Sequence, residues 1–535
     1  MDRLPPEILT HIVSFLPRTL EERNPILVLA AKQGLVVPGY ETEPPLLRPA
    51  LATLSRKWQH AIESLTFREI HLSSEDIDIS GRYFLGKSSL HRPLLLRNLF
   101  FTILLPTNRQ VLDKTVTEAI RALFAILSQW PDQAAVTLSL ELQPPRVSQE
   151  QEHEGRHSST DRKDEYVHVR ILAGGDDDPP PIMLPCIRSF TAQVSPHYPH
   201  NPVYSLGHAT QVVLTSRFPN VWGILLQMQE PGTYWRSGLG QKQREELAEA
   251  MRAFRVAPST RRLDIRMTYP SSPHPHHITT HQDGGDDDPK GTEMRMDPFC
   301  SAWHTATRHA KSLESLYFEG MIDASMFWPY QQDEKEKEKE KEKEKEKEKE
   351  KGPVEPFWAS VRTLQVKFSH ISPSGQRYFG FSSEEITGLD PISDESDGSE
   401  DDGNGSSSSS SSSESGDNNN RRATTEMAGN GMMEPLLVAF SRAIAQMPSL
   451  KTAWLRLDSD AYPAAVFSVF FAAAGEPDTF AVRMGGHWIE RQRDLTSRPR
   501  VFFDTGDWRP SSAVVDILER GRQMGDLVVA YLPST

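Results

Sequence analysis

The sequence predicts an α/β protein: a small all-α module over residues 1–72, then a strand-helix region over residues 73–535. Three observations predict it. Near the amino end lie two amphipathic helical stretches, the first of them bounded by proline. Beyond them an apolar residue is repeatedly followed by others three, five and seven positions later, so that the last three alternate as a strand with one buried face requires. Between these strand patterns lie stretches with helical periodicity, and strands alternating with helices are the signature of stacked strand-helix units on a parallel sheet.

The first helical stretch runs from Leu4 to Pro17. Pro5 and Pro6 suit a first helical turn, where no N–H partner is lost, and Pro17 closes it. Ile8, Ile12 and Leu16 recur at four-residue spacing with Leu9 and Val13 beside them, which gives one apolar face. In the second stretch Leu51, Leu54, Trp58, Ala61, Ile62 and Leu65 form a similar stripe, with Arg56, Lys57, Gln59 and Glu63 opposite. Two ordinary core helices would read the same way.

The residues Leu4-Pro5-Pro6-Glu7-Ile8-Leu9 with Ile12 and Leu16, then Leu54-Ser55-Arg56-Lys57-Trp58 and the exit Phe67-Arg68-Glu69-Ile70-His71-Leu72, carry a resemblance. They resemble the F-box, the helical module that docks substrate receptors onto the Skp-type adaptor of cullin-RING ubiquitin ligases. More narrowly, the chain is similar to the large fungal group of F-box proteins in which an irregular repeat region follows the box. The resemblance implies adaptor binding through Leu4, Pro5, Ile8, Leu9, Ile12, Leu16 and Trp58, with Trp58 serving either the contact or the box's own core. The family joins its two halves by a short connection, whereas here residues 18–48 intervene, with a possible helix from Asn24 to Gln33. Loop-closure entropy grows slowly with length, so an insertion there is tolerated.

The strand patterns are Leu96, Leu99, Phe101, Ile103; Ala135, Leu138, Leu140, Leu142; Ile187, Phe190, Ala192, Val194; Val221, Ile224, Leu226, Met228; Thr260, Leu263, Ile265, Met267; Leu313, Leu316, Phe318; Val361, Leu364, Val366, Phe368; and Leu450, Ala453, Leu455, Leu457. Helices are expected from Val111 to Gln129, Gln241 to Phe254, Pro298 to Ala310 and Glu434 to Gln446. The expectation is an irregular leucine-rich-repeat-like solenoid; a compact α/β domain would show the same alternation. Irregularity follows because Leu104, Gln143, Ser195, Gln229, Thr268 and Met321 stand where the standard repeat of that type holds Asn or Cys. The fungal resemblance extends here through Met326-Phe327-Trp328-Pro329, Pro356 to Leu364 and Ser372 to Phe379.

Four segments, about 144–165, 270–292, 331–353 and 387–431, are rich in Ser, Asp, Glu, Lys, His, Pro or Gly and are expected to be disordered insertions. In the Glu-Lys run from Glu334 to Lys351 strict alternation sets like charges at i and i+4, which favours a solvated tether over a rigid helix.

A chain of 535 residues holds several domain-sized cores, yet 37% hydrophobic content and 40 prolines imply that part of it stays unpacked. A net charge of −14 repels phosphate backbones, which argues against a nucleic-acid role. Two cysteines, Cys186 and Cys300, lie in no metal-ligand or disulfide spacing, so reduced, packed thiols and a cytoplasmic or nuclear location are expected. No basic and apolar leader is seen at the amino end, and the greasiest run, Ala464 to Ala474, is shorter than the roughly 20 residues of a membrane span and suits a buried helix or strand.

Of the chemistry-bearing residues, His274, His276, His277 and His281 with Asp286, Asp287 and Asp288 are the metal candidates, but a loop of Pro, Ser and Gly does not hold ligands in fixed geometry. Gly238 and Gly240 read as a turn rather than a phosphate loop. The run from Ser393 to Asp402 suits acid-directed phosphorylation or plain solubilisation. No nucleophile elbow, Walker loop or HExxH is present, so the expectation is no enzyme and no cofactor. The resemblance implies a receptor that binds the adaptor and cullin ligase at one end and a target protein at the other, or an F-box scaffold without ubiquitination.

Overall fold

The computed structural model describes residues 5, 7–9, 54–85, 91–144, 166–171, 181–194, 203–229, 239–268, 296–328, 358–374, 376, 378, 432–457, 467–477, 496–505, 508–521 and 526–531. The insertion 18–48 and the four polar segments lie outside these residues, apart from Pro144. So do the histidine-rich loop and the Ser393 to Asp402 run. The architecture is mixed α/β on a large, mostly parallel sheet, and it divides into two compact units, Met1–Tyr269 with Thr305–Tyr317 and Pro270–His304 with Phe318–Thr535.

In the first unit, α1 (Arg56–Thr66) starts at Ser55, whose hydroxyl accepts from the Trp58 amide at 3.4 Å and satisfies one of the free N–H groups of the first turn. Two residues later β1 (Glu69–Ser73) begins. Then come α2 (Ile77–Leu85), α3 (Arg92–Leu95), β2 (Asn98–Leu104), α4 (Leu112–Leu127) and β3 (Val136–Gln143). After β4 (Tyr166–Val169), β5 (Ile187–Gln193) and β6 (Val203–Leu206) the chain continues through α5 (His208–Thr215), β7 (Gly223–Gln229), α6 (Leu239–Ala253) and β8 (Arg262–Thr268). Strands β1, β2, β3, β5, β7 and β8 pair in that order, each parallel to the last, while β4 and β6 form a separate parallel pair. Each unit therefore adds its strand beside its predecessor, as the alternating pattern demands.

The core lies on one face of this sheet. Leu99, Phe101 and Ile103 of β2, Leu138, Leu140 and Leu142 of β3, and Phe190 and Ala192 of β5 are buried there. The buried stripe of α4 comprises Leu112, Val116, Ile120, Leu123, Phe124 and Leu127, and Phe218 of the loop before β7 stacks edge-on to Phe124 at 6.0 Å. Burying each such side chain contributes about 1.5–3 kcal/mol. The intervening residues Asn98, Thr102, Thr137, Glu141, Ser189, Thr191, Gln193 and Gln227 are half-buried polar groups on the opposite face. A parallel sheet with one face half-exposed and mostly polar, Phe100, Leu104 and Leu225 excepted, departs from the usual double cover by helices.

One sequence position is corrected: Ala134 and Val136 are buried where Ala135 was expected. The register between β3 and β5 slips at Val136, where Thr137 pairs Ser189 and Arg188 is the extra residue of a bulge. Likewise α6 starts at Leu239 rather than Gln241, taking Gly240 into its first turn.

Helix α7 (Pro298–Thr307) and strand β9 (Ser315–Gly320) contribute residues to both units. The second unit adds β10 (Thr363–Phe368), α8 (Met433–Gln446), β11 (Thr452–Leu457), β12 (Ser468–Ala472), β13 (Arg500–Asp504), α9 (Ser512–Arg520) and β14 (Val528–Tyr531). Strands β10 and β11 are parallel, the pairs β11 to β12 and β12 to β13 are antiparallel, and β13 to β14 is parallel again. At β12 and β13 both faces are covered. Leu436, Leu437, Phe440 and Ile444 of α8 are buried, and Phe470, Ala472 and Phe502 form a further apolar cluster with Trp454 and Ala530.

Candidate functional site

The amino-terminal helices offer the first site. Residues 7–9 make a helical turn in which the Ile8 and Leu9 amides donate to the Pro5 carbonyl at 3.1 and 3.2 Å. Leu9 is 0% exposed and packs with Trp58, Ala61, Ile62 and Leu65 of α1. Ile8 on the same turn is 45% exposed and Leu54 is 61% exposed. Of the seven residues expected to bind an adaptor, Leu9 and Trp58 thus belong to the helices' own core, Ile8 and Pro5 face solvent, and Leu4, Ile12 and Leu16 lie outside the described residues. Ile79 and Tyr83 of α2 and Leu94 of α3 are also exposed.

A charged clamp fixes α1 against α3. Glu63, buried on α1, accepts from His91 Nε2 at 2.8 Å, Arg92 at 3.2 Å and Gln59 at 3.2 Å, and the Arg92 guanidinium lies 4.8 Å from the centre of the Phe67 ring. Burial pushes the Glu63 carboxyl up, but the hydrogen bonds from His91, Gln59 and Arg92 and the Arg92 charge outweigh it and hold it below the usual carboxylate range. Helical periodicity alone puts Glu63 on the side opposite the apolar stripe, because its partner His91 is remote in the chain.

The polar sheet face is the second site. Its most buried charge is Asp264 on β8, 1% exposed, which accepts from Arg262 at 3.3 Å and from Arg266 at 3.1 Å along the same strand. Arg266 in turn lies 5.0 Å from the Tyr317 ring. The one carboxylate of this array is thus satisfied by its own strand's guanidinium groups.

A cavity of about 330 Å³ opens between β4, the start of α5 and α6. It is lined by His168, Arg170, His208, Thr210, Glu246 and Glu249. Arg170 bridges to both Glu246 oxygens at 3.1 and 3.3 Å, and His168 Nδ1 meets the Ser205 hydroxyl at 3.1 Å. Burial, with the Arg170 charge beside it, holds His168 below its ordinary value, so it is neutral at pH 7. No sequence motif marked the cavity, since β4 and β6 are only four residues long and carry no chemical spacing.

In the second unit Asp323 accepts from the Asp297 amide at 2.7 Å and caps residues 324–326 through the Ser325 amide at 2.9 Å. Asp297 caps α7 through the Cys300 amide at 2.8 Å. Burial, then the neighbouring Asp297 charge, raises the Asp323 carboxyl, with the Ser325 bonds offsetting part of it. Both carboxylates thereby serve backbone donors. Trp358, buried at φ 49, holds a left-handed turn beside His304 at 5.1 Å. Cys186 and Cys300 are buried free thiols, and burial pushes Cys186 up to about 11. Among the described residues no group of three or more His, Cys, Asp or Glu is arranged to hold a metal ion, and no helix is long and apolar enough to cross a membrane.

No protein-family model matches the chain, and no curated protein matches it.

Proposed function

We propose that the chain is an F-box substrate receptor: its amino-terminal helices bind a Skp-type adaptor of a cullin-RING ubiquitin ligase, and its strand-helix region, a leucine-rich-repeat-like solenoid, binds the target. The observation that carries this reading is the pairing of the 7–9 turn with α1. Leu9 closes a small core on Trp58 while Ile8 on the same turn and Leu54 just before α1 stay exposed, which leaves apolar side chains of these helices open to an adaptor. The polar, half-exposed face of a sheet whose units add in sequence supports the target-binding half. In this role the protein supplies no reacting group; it raises the effective concentration of target lysines at the loaded ligase.

The test is co-purification of the full chain with adaptor and cullin. Ile8→Asp with Leu54→Asp is expected to abolish adaptor binding, because the carboxylates would enter a dry contact at a cost of several kcal/mol. Circular dichroism should not change, since both side chains are exposed. Retained binding sinks the F-box reading. Adaptor binding with no ubiquitin transfer to any bound protein points instead to an F-box scaffold.

A further inference from the structure

The backbone at the amino ends of the strands repeats one arrangement. The carbonyl of the residue before β1, Arg68, accepts from the amides of Arg97 and Asn98 at 2.9 and 3.0 Å. The carbonyl before β7, Trp222, accepts from Arg261 and Arg262 at 2.8 and 2.9 Å, and that before β8, Arg261, accepts from Glu314 and Ser315 at 2.7 and 2.9 Å. Arg97 accepts from Thr137, and Arg188 from Trp222, each at 2.7 Å. These hydrogen bonds align Arg68 with Arg97, and Arg188 with Trp222 and Arg261; between the two sets stands β3, where buried Val136 pairs with Ile187 and the bulge sets Arg188 next along the rim.

The side chains of this row are unusual in a protein of net charge −14. Arg68, Arg97 and Arg261 are exposed, Arg188 is half-buried, and Trp222 is 50% exposed. Arg261 pairs with Glu314 at 3.5 Å, whereas Arg68, Arg97 and Arg188 have no carboxylate partner among the described residues. Guanidinium groups bind carboxylates through a fixed planar fork, and Trp and Arg are the side chains enriched at binding hot spots. Exposed Met183, in the loop leading into β5, adds apolar surface at the same end.

We propose that this rim binds an extended acidic polypeptide segment of the target, with carboxylates on Arg68, Arg97, Arg188 and Arg261 and one apolar side chain against Trp222. The inference rests on reading the strand-helix region as target-binding. Spacing fits the occupant: six strands at about 4.8 Å apart give a row of roughly 24 Å, which an extended chain covers in about seven residues. The chain's net charge of −14 works against a long phosphate backbone, whereas a short carboxylate segment needs to meet only the arginines of the row.

The experiment is fluorescence anisotropy of the full chain with a labelled Asp/Glu peptide of about eight residues carrying one central Leu. A Lys peptide of equal length and a single-stranded oligonucleotide are the comparators. The acidic peptide is expected to bind, with affinity falling as salt rises. Arg97→Glu with Arg188→Glu should weaken it by about tenfold or more, while Lys114→Glu at the start of α4, beyond the opposite strand ends, should not change it. Trp222→Ala should remove the preference for the peptide with Leu over an all-acidic one. If the reversals disturb the circular dichroism, Arg97→Gln with Arg188→Gln is read instead. Equal binding of the Lys peptide, wild-type binding by the arginine variants, or tighter binding of the oligonucleotide overturns the proposal. Adaptor capture without peptide binding refutes the rim alone; peptide binding without adaptor capture refutes the F-box reading alone.

Discussion

Strand β2 and strand β12 both contain two adjacent phenylalanines, and they use them differently. In β2, Phe101 is fully buried while Phe100 is half-buried on the polar face, stacked on His71 at 4.5 Å. In β12, Phe470 and Phe471 are both buried, as are Phe502 and Phe503 beside them in β13. The first strand has one covered face and the second has two. Period-two alternation is a report on how many faces are covered, so it marks the strands of the first unit and β10 and β11 of the second, and vanishes at β12 and β13.

The comparison predicts unequal costs of the same substitution. Phe470→Ala and Phe471→Ala should each destabilise the second unit by about 3–5 kcal/mol, and Phe101→Ala should do the same to the first. Phe100→Ala should cost less than about 1 kcal/mol. Denaturant unfolding of the four variants checks this, and equal effects of Phe100 and Phe101 would mean that the sheet of the first unit is covered on both sides.

A smaller effect is expected at the clamp. Glu63→Gln should cost about 1–3 kcal/mol, because His91 and Arg92 lose an ionised acceptor. The Glu63 carboxyl is held below its ordinary 4.5, so the native state binds fewer protons than the unfolded chain near that value. Its contribution is therefore complete above about pH 4.5 and is lost as pH falls through the lowered native value. Melting temperatures of wild type and Glu63→Gln should converge in acid.

The smallest effect belongs to the cavity. His168 is held below its ordinary 6.5, so the unfolded chain takes up the proton first and stability declines as pH drops below about 6.5. His168→Gln should flatten that decline, and an imidazole titration followed by NMR should give a midpoint below 6.5.

Much of the fold was legible because eight strands carry the same apolar spacing and each of the eight is present, with Leu99, Leu138, Phe190, Ile224, Leu263, Leu316, Leu364 and Ala453 all buried. The four long helices between them were legible from their stripes, to within a few residues at each end. What escaped was set by contacts remote in sequence. The run Ala464 to Ala474 was legible as a buried helix or strand, and burial at every position of β12 within it left the two undivided; β13 was hidden for the same reason, and β4 and β6 by their length. At the candidate site the sequence could identify the apolar face around Ile8 and Leu9 but not its division. Leu9 turns inward only because Trp58 and Ile62 arrive from α1, and that pairing spans about fifty residues of chain.

Only Phe67 and Arg68 separate α1 from β1, and the Glu63 clamp ties α1 to α3, which leads into β2. This end of the molecule is therefore a strut rather than a tether. Under the proposed reading, whatever orientation the helices take on an adaptor is passed directly to the first strands, so the bearing of a bound target toward the ligase is set by the angle between a helix and a sheet. A flexible linker of Gly and Ser inserted after Phe67, combined with Glu63→Gln to release the clamp, would scatter the lysines that receive ubiquitin.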